Sequence, residues 1–270
     1  MRGVIKFIIA LLVAAVSLVT YWCSSETNDF TGEEQRVDMT VEQEIALGLQ
    51  AAPQMAEQYG GLHPDQQAAQ EVKAIGQRLV QHTRVSDTPY QFDFHLLADE
   101  QTVNAFALPG GQVFITAGLL GRLESEGQLA GVLAHEIGHV VARHSAQQLA
   151  KAKLTQGLTG AAAIATYDPD NPASQSGAAV AAMIGQLVNM NYGREDELES
   201  DKLAVQLTGA AGYDPRSMIR VMEILEEASG GSSRGPDFLQ THPNPGNRIA
   251  KIEAAIEQEY PKGLPEGLTH

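Results

Sequence analysis

The sequence is poor in two features that usually direct an interpretation, cysteine and positive charge. Cys23 is the only cysteine, which excludes an intrachain disulfide and a metal site built from cysteines. The 18 Lys and Arg residues are outnumbered by 33 Asp and Glu residues, so the net charge is -15. Because phosphate binding needs a basic surface, nucleic acid is not expected as a partner. The acidic surface also disfavours flat docking on anionic lipid.

Long apolar runs are scarce too, and the clearest one lies near the N-terminus. Arg2 and Lys6 precede an apolar run from Phe7 to about Trp22, which suits a cleaved signal peptide or a short signal anchor. Basic residues before the run predict that the following domain is exported. Cys23 adds a third option, lipidation, but bulky aromatic residues precede it where a lipoprotein signal has small ones. We therefore expect an extracytoplasmic, periplasmic location with a membrane tether, and we favour the anchor over lipidation.

Length and composition fit one globular domain with an N-terminal appendage. The apolar content of 43% suits such a domain. We predict a targeting segment at residues 1–22, a flexible polar linker at 23–39, the main domain at 40–260 and a C-terminal tail at 261–270. The tail is too short for a helical repeat array.

The most informative motif is H-E-I-G-H at residues 135–139, within a predicted buried helix from Gln128 to Arg143. His135 and His139 are four residues apart, so they project from the same side of the helix and can bind one zinc ion. Glu136 lies one step round the helix, where it can take a proton from a water on the metal. The alternative is a chance match with a histidine pair in the core. Because buried imidazoles need polar partners, we favour the metal.

The helix arc that carries the histidines also holds small or uncharged residues, which we interpret as room for a metal and a substrate: Gln128, Gly131, Gly138 and Ala142. A third histidine of the extended zinc pattern is absent, since Ser145 stands at its position. His144 points about 140° away from His139 if the helix continues. We interpret His144 as a structural histidine at the helix end.

A predicted helix from Gly193 to about Ala210 supplies the best candidate for a third ligand. Its apolar face contains Glu197, with Asp201 one turn later, and a carboxylate aimed into a core needs a cation or hydrogen-bond donors. We predict that Glu197 is the third ligand and that Asp201 orients a ligand imidazole or donates a proton. The acids on the polar face, Glu195 and Glu199, are expected to be solvated. The alternative for Glu197 is a buried salt bridge with Arg194 or Arg143.

The remaining pattern predicts a mostly helical α+β fold with a small three-stranded sheet beside the H-E-x-x-H helix. Strands are expected at 92–97, 102–108 and 112–116, and further helices at 40–59, 65–83, 215–229 and 245–258. Val113 and Ile115 mark one face of the last strand. We predict that this strand is an exposed edge that binds a substrate peptide as an added strand, and we group Asn104 with it as substrate-binding.

The segment 153–191, rich in Ala and Gly, allows two interpretations. Its apolar pieces are too short and too interrupted to span a bilayer, so we predict two helices with a mobile connection. One hypothesis is that they cover the cleft and gate access to it. The other is a plain packed helical hairpin.

Four segments resemble the zinc peptidase family of gluzincin type that includes HtpX and the CAAX prenyl proteases: H-E-I-G-H at 135–139, R-x-x-E-x-x-x-D at 194–201, N-A-F-A-L-P-G-G-Q-V-F-I-T-A-G-L-L at 104–120, and T-H-P-N-P at 241–245 with Arg248. The resemblance runs from about residue 40 to about 258 and is greatest to the soluble, LoiP/BepA-like extracytoplasmic members. Gly193 and Ser200 depart from the family pattern, but both are small.

The resemblance implies a zincin-like metallopeptidase domain with one zinc ion, held by His135, His139 and Glu197, and with Glu136 as the acid/base. It also implies a proton-donor or orienting role for Asp201, and it adds His242 as a histidine that can approach the metal. We count Asp201 and His242 with Glu136 as candidate catalytic residues, since either could help to hold the tetrahedral intermediate. We therefore expect a zinc metalloendopeptidase that takes part in protein quality control by cleaving misfolded or misassembled envelope proteins. The rivals are a zinc-containing chaperone-like or binding protein with a covered cleft, and a metal-free protein with core histidines.

Overall fold

Helices dominate the fold, and the sheets are small, which confirms the α+β, mostly helical class. A computed structural model of the protein describes residues 2–166, 191–229, 236–243 and 246–270. Its elements in chain order are α1 (Arg2–Cys23), β1 (Ser25–Thr27), β2 (Glu34–Arg36), α2 (Val41–Gln58), α3 (Gln66–Gln81), a 3-10 turn (Arg84–Asp87), β3 (Asp93–Leu97), β4 (Ala105–Ala107), β5 (Gln112–Thr116), α4 (Ala117–Leu120), α5 (Glu126–Val141), α6 (His144–Thr166), α7 (Arg194–Ala210), α8 (Ser217–Ser229), α9 (Asp237–Thr241) and α10 (Arg248–Glu259).

The N-terminal region consists of the apolar helix α1 and a hairpin of β1 and β2. Within α1, Val4–Cys23 is long and apolar enough to cross a membrane, and α1 packs lengthwise along α6. The hairpin replaces the flexible linker predicted at 23–39. Its Asn28 is buried and donates from Nδ2 to the carbonyl of Val141, at 2.9 Å. The hairpin is therefore attached to the last turn of α5.

The three-stranded sheet has the order β3-β5-β4, so β5 is its central strand. It pairs in parallel with β3 and antiparallel with β4, which is joined to it by the tight turn at 109–111. Val113 and Ile115 are fully buried. The prediction that these two residues lie on an exposed edge is therefore wrong. The alternating pattern identifies a strand, but it cannot show that β3 returns to pair with β5 on its other side.

Helix α5 runs through the middle of the main core, which includes side chains from α3, the sheet, α7 and α8. Two of the small residues on its histidine-bearing arc admit neighbouring helices. A Cβ at Gly138 would lie 2.6 Å from Ser200 Oγ of α7, and one at Gly131 would lie 2.6 Å from Met218 Sδ of α8. These two glycines thus permit close helix packing, rather than the approach of metal and substrate that we predicted for them.

Most predicted helices appear with the expected ends. Thr40 caps α2 in a capping box with Gln43, and Asp65 caps α3. A second, smaller core lies between α2 and the sheet, built from Leu47, Ala51, Met55, Leu97, Phe106, Leu108, Phe114 and Leu149. Helix α6 is continuous through the first part of the predicted gating segment. The rest of that segment lies outside the described residues.

Candidate active site

Four side chains from three regions of the chain converge in the core at α5. His135 and His139 come from α5, Glu197 from α7, and His242 from the residue that follows α9. Each is at most 1% exposed, and their four ligand atoms lie within 4.8 Å of one another. The structure therefore brings together the three predicted ligands and the histidine that the family resemblance added.

Four of the six separations between these atoms are close to those of a tetrahedral metal site. The two histidine Nε2 atoms are 3.0 Å apart, and His139 Nε2 is 3.4 Å from Glu197 Oε1. His242 Nδ1 is 3.0 Å from Glu197 Oε1 and 3.4 Å from His135 Nε2. Ligands about 2.0–2.1 Å from a zinc ion at the centre of a tetrahedron would be about 3.4 Å apart. Two histidines and a carboxylate are also a donor set that zinc prefers, so the residues fit this ion.

Glu136 lies beside this cluster with a free carboxylate. It is completely buried, and neither oxygen has a hydrogen-bond partner among the described residues. The His242 Nε2 atom lies 3.5 Å from Oε1. Burial raises the pKa of Glu136 above its ordinary value. A buried carboxylate without partners is costly, so its position indicates a reacting group rather than a structural one.

A carboxylate from α7 lies next to the second nitrogen of His135. Nδ1 of His135 is 3.0 Å from Asp201 Oδ1, without good hydrogen-bond geometry. Arg248 donates to both oxygens of Asp201, from Nε at 2.8 Å and from Nη2 at 2.6 Å. Burial acts to raise the pKa of Asp201, but the charge and hydrogen bonds of Arg248 hold it below its ordinary value. An ionised Asp201 suits the orienting role of our prediction and not the proton-donor role.

Sequence reasoning assigned no role to Arg248, which is 1% exposed. Its Nη1 also forms an ion pair with Glu197 Oε2 at 3.0 Å, without good hydrogen-bond geometry. The alternative salt bridge for Glu197, with Arg194 or Arg143, is therefore wrong. The only sequence signal for Arg248 was its position just after the His-Pro segment. That position singles out Arg248 but does not show which carboxylates it pairs with.

The protonation of the cluster without a metal favours cation binding. Burial acts to lower the pKa of His135, but hydrogen bonds to Asp201 and Glu197 raise it to about 9. Burial holds the pKa of His139 well below its ordinary value. Burial acts to raise the pKa of Glu197, but His242 and the hydrogen bonds from the ligand histidines hold it well below its ordinary value. A metal ion bound by His135 would displace the proton from that imidazole.

Two aromatic side chains that sequence reasoning missed fix the imidazoles in place. Tyr192 stacks on His139, with ring centroids 3.9 Å apart and an interplanar angle of 18°. Phe238 stacks on His242 at 4.4 Å and 20°. Thr241 lies three residues after Phe238, and its carbonyl accepts a hydrogen bond from the main-chain N–H of Tyr192 at 3.1 Å. The segment that carries His242 is therefore tied to the segment that leads into α7.

His144 lies closer to the site than the helical wheel predicts. Helix α5 ends at Val141, and Arg143 has a φ of 58°, so the chain turns before α6 begins. His144 is buried, and its Nδ1 is 2.8 Å from His139 Nδ1. Its Nε2 is 3.1 Å from Glu199 Oε2. The interpretation that His144 points away from His139 is therefore wrong, and Glu199, although partly exposed, is paired with His144.

A small cavity of about 30 Å³ adjoins the cluster, between α2, β4 and the segment of His242. Its lining includes Asn104, Tyr59 and Tyr192. Asn104 is 2% exposed and donates from Nδ2 to Tyr59 Oη at 3.2 Å, while its Oδ1 has no partner among the described residues. Strand β4, which follows Asn104 in the chain, is one of the two edge strands of the three-stranded sheet. In an antiparallel pair, every second residue directs its N–H and C=O groups away from the partner strand. In β4 these residues are Ala105 and Ala107, whose groups point away from β5.

Comparison with known proteins gives one family and several relatives. The profile described as Peptidase family M48 matches residues 66–256. The chain is 30% identical over 269 residues to the Beta-barrel assembly-enhancing protease of Escherichia coli K12, which covers 96% of this chain and 54% of that protein. It is 29% identical over 249 residues to the Mitochondrial metalloendopeptidase OMA1 of Schizosaccharomyces pombe, covering 90% of this chain and 70% of that protein. The chain thus spans about half the length of its bacterial relatives.

Proposed function

Because the chain belongs to peptidase family M48, we propose that it is a zinc-dependent metalloendopeptidase. The observation that carries the proposal is the buried cluster of His135, His139 and Glu197 beside the unpartnered carboxylate of Glu136. A metal-binding group alone would also suit a structural site. A free carboxylate next to it indicates hydrolysis, because this chemistry needs a base at the metal.

The roles of the residues follow from their positions. A zinc ion, when bound, would polarise a peptide carbonyl and lower the pKa of a coordinated water towards neutrality. Glu136 is placed to take a proton from the attacking water and then to pass it to the leaving amine. The raised pKa of Glu136 makes it a better base than an exposed carboxylate. Asp201 orients His135, and Arg248 keeps Asp201 and Glu197 ionised.

We propose that the substrates are protein chains in the cell envelope that are misfolded or misassembled. β4 pairs with no strand on its other side among the described residues, although its three residues are at most 9% exposed. This unpaired side supports the class, because main-chain pairing recognises an extended peptide without demanding a particular sequence. Asn104 Oδ1, buried and unpartnered beside that edge, is suited to accept a peptide N–H. The names of the bacterial relatives, which refer to assembly of β-barrels, agree with a substrate in the envelope.

The proposed location is extracytoplasmic and periplasmic, with α1 as the membrane tether. The support is the length and apolar character of Val4–Cys23, together with the basic residues that precede it. The side chains of α1 are largely exposed, including Phe7, Leu12 and Trp22, so the helix has apolar surface available to lipid. We propose the anchor ahead of lipidation at the exposed Cys23.

His242 favours a second candidate function, a zinc-containing binding or chaperone-like protein with a covered, weakly active cleft. A catalytic zinc site keeps one position open, and His242 Nδ1 stands where that position would be. The two candidates differ in the effect of His242→Ala. If His242 restrains a peptidase, this variant should cleave an unfolded protein faster than wild type. If the cleft serves binding alone, neither protein should cleave it.

The decisive experiment for the enzyme compares wild type, Glu136→Gln and His139→Ala in zinc content and in cleavage of unfolded casein. We expect Glu136→Gln to retain zinc and to lose activity by about 10²–10⁴-fold, since it loses the proton acceptor. His139→Ala should lose both zinc and activity. Equal cleavage by wild type and Glu136→Gln would contradict the enzyme, and equal zinc in all three proteins would contradict the metal site.

A further inference from the structure

The hydrogen-bonded path from His139 through His144 to Glu199 is not used by the chemistry above. We propose that His144 and Glu199 are positioning residues that fix the tautomer and ring orientation of His139, and thereby set the affinity of the site for zinc. The inference rests on the proposed metal site, but it concerns residues that do not reach the metal.

The path is continuous and closed to solvent at its centre. His139 Nε2 faces the ligand cluster, so Nδ1 is the nitrogen that remains. That Nδ1 lies 2.8 Å from His144 Nδ1, and His144 Nε2 lies 3.1 Å from Glu199 Oε2. His144 is 0% exposed, whereas the Glu199 side chain is 30% exposed. The path thus runs from the buried centre to a carboxylate at the protein surface.

The chemistry of the three groups allows one arrangement of protons when His139 binds a metal. A neutral His139 that ligates through Nε2 carries its proton on Nδ1 and donates it. His144 Nδ1 must then accept, which places the proton of His144 on Nε2. Glu199 accepts that proton, because a carboxylate has acceptors only. Glu199 therefore selects the tautomer of His144, and His144 in turn selects that of His139.

The two ligand histidines are thus fixed by the same helix in different ways. Asp201 of α7 contacts His135 Nδ1 directly, at 3.0 Å. Glu199 of α7 acts on His139 only through His144. Because Glu197 lies on α7 as well, one helix supplies a ligand and the acceptors that orient the other two. Mutation of a residue that orients a metal ligand in this way typically lowers metal affinity by about 10–100-fold.

The test uses two variants of equal polarity that differ in where they place an acceptor. In His144→Asn the amide oxygen can occupy the position of Nδ1 and accept from His139. In His144→Gln the amide group extends to the position of Nε2, so it can reach Glu199 but leaves His139 Nδ1 without its acceptor. Glu195→Gln serves as the control, because Glu195 is an exposed acid on the same helix.

Zinc dissociation constants are measured on the full chain with a competing chelator, alongside the absorption spectrum of the Co²⁺-loaded protein. We expect His144→Gln to weaken zinc binding by about 10–100-fold and to alter the Co²⁺ spectrum. We expect His144→Asn to stay within about threefold of wild type, and Glu195→Gln to match it. Glu199→Gln, which keeps an acceptor but loses the charge, should fall between.

Three outcomes separate the possible failures. Wild type that binds no zinc would sink the proposed function itself. Tight zinc binding by wild type and equally tight binding by His144→Gln would overturn the positioning role alone. An equal loss in His144→Asn and His144→Gln would also overturn it, because a packing defect does not depend on where the acceptor sits. Thermal unfolding of the metal-free variants confirms that all of them fold.

Discussion

Two clusters of polar side chains lie close to the C-terminal end of α5, and they differ in how completely their buried atoms are paired. In the metal centre, both oxygens of Glu136 and Nε2 of His242 lack hydrogen-bond partners. In the second cluster, which we call the Arg143 cluster (Glu26, Asn28, Gln35, Glu44 and Arg143), no side chain is among the buried unsatisfied groups of the described residues. Glu26 is exposed, but the other four side chains of the Arg143 cluster are buried like those of the metal centre, so the contrast between the buried groups lies in their pairing.

The pairing of the Arg143 cluster is direct. Arg143 donates from Nε to Glu44 Oε1 at 2.7 Å and from Nη2 to the carbonyl of Met39 at 2.7 Å. Its Nη1 contacts Glu26 in the N-terminal hairpin. A buried ion pair whose hydrogen bonds are all made connects secondary-structure elements. Buried polar atoms that lack hydrogen-bond partners indicate instead a site for a ligand or a reaction. The comparison therefore separates a structural cluster from a functional one by their unsatisfied atoms.

The largest effect that tests this separation is expected from Arg143→Met. The substitution keeps an apolar chain in place of the aliphatic part of Arg143 but leaves Glu44 buried without its cation, so we expect the free energy of unfolding to fall by about 3–5 kcal/mol. Zinc affinity should remain within about threefold of wild type. Chemical denaturation at pH 8 and a chelator competition measure the two quantities.

Arg122→Met is the matched control, because Arg122 is exposed. It should change the free energy of unfolding by no more than about 0.5 kcal/mol. A large loss of zinc affinity in Arg143→Met, with the protein still folded, would show that the two clusters are not separate.

The sequence indicated the metal centre more completely than the Arg143 cluster. The spacing of His135 and His139 is local, and a glutamate on an apolar helix face identified Glu197. The links of Arg143 to Glu26 and Glu44 span 117 and 99 residues, and no local pattern reports them. Sequence predicted the helices and the three strands for the same reason, since periodicity is local.

The errors arose where the chain changes direction or pairs at long range. The wheel placed His144 on the wrong side because Arg143 adopts a φ of 58° and ends the helix. The substrate edge was assigned to β5 because the parallel pairing with β3 has no sequence signature. Arg248 was passed over because a buried cation is recognised only once the carboxylates that it neutralises are known.

A smaller effect is expected from the pH dependence of Glu44. Burial raises the pKa of Glu44 to about 7, even though Arg143 attracts its charge. Because the folded-state pKa exceeds the unfolded value of about 4.3, the folded protein binds more protons between these pH values. The contribution of Glu44 to the free energy of unfolding is therefore present below about pH 4.3 and is lost as the pH rises to about 7. Glu44→Gln should flatten this part of the stability profile.

The measurement is the free energy of unfolding of metal-free protein at several values between pH 5 and 8, in wild type and in Glu44→Gln. Metal-free protein is needed because the histidines of the other cluster also change their proton binding when they take up a cation. Profiles that run parallel across this range would show that Glu44 stays ionised beside Arg143. The Arg143 cluster would then be a fixed ion pair at every pH tested.

The smallest effect concerns the contact between the N-terminal hairpin and α5. Asn28 donates from Nδ2 to the carbonyls of Val141 and the Gln35 side chain, at 2.9 and 3.1 Å, and its Oδ1 accepts from two main-chain N–H groups of the hairpin turn. Asn28→Ala should lower the free energy of unfolding by about 1–3 kcal/mol, since it leaves these groups unpaired. The exposed Gln81→Ala is the control. Val141 is only two residues from His139, so this variant probes the boundary between the clusters most closely. If Asn28→Ala also weakens zinc binding tenfold or more, the hairpin after α1 helps to position α5 and its two ligand histidines. The hydrogen bond from Asn28 to Val141 would then serve both clusters, and they could not be divided into a structural and a functional one.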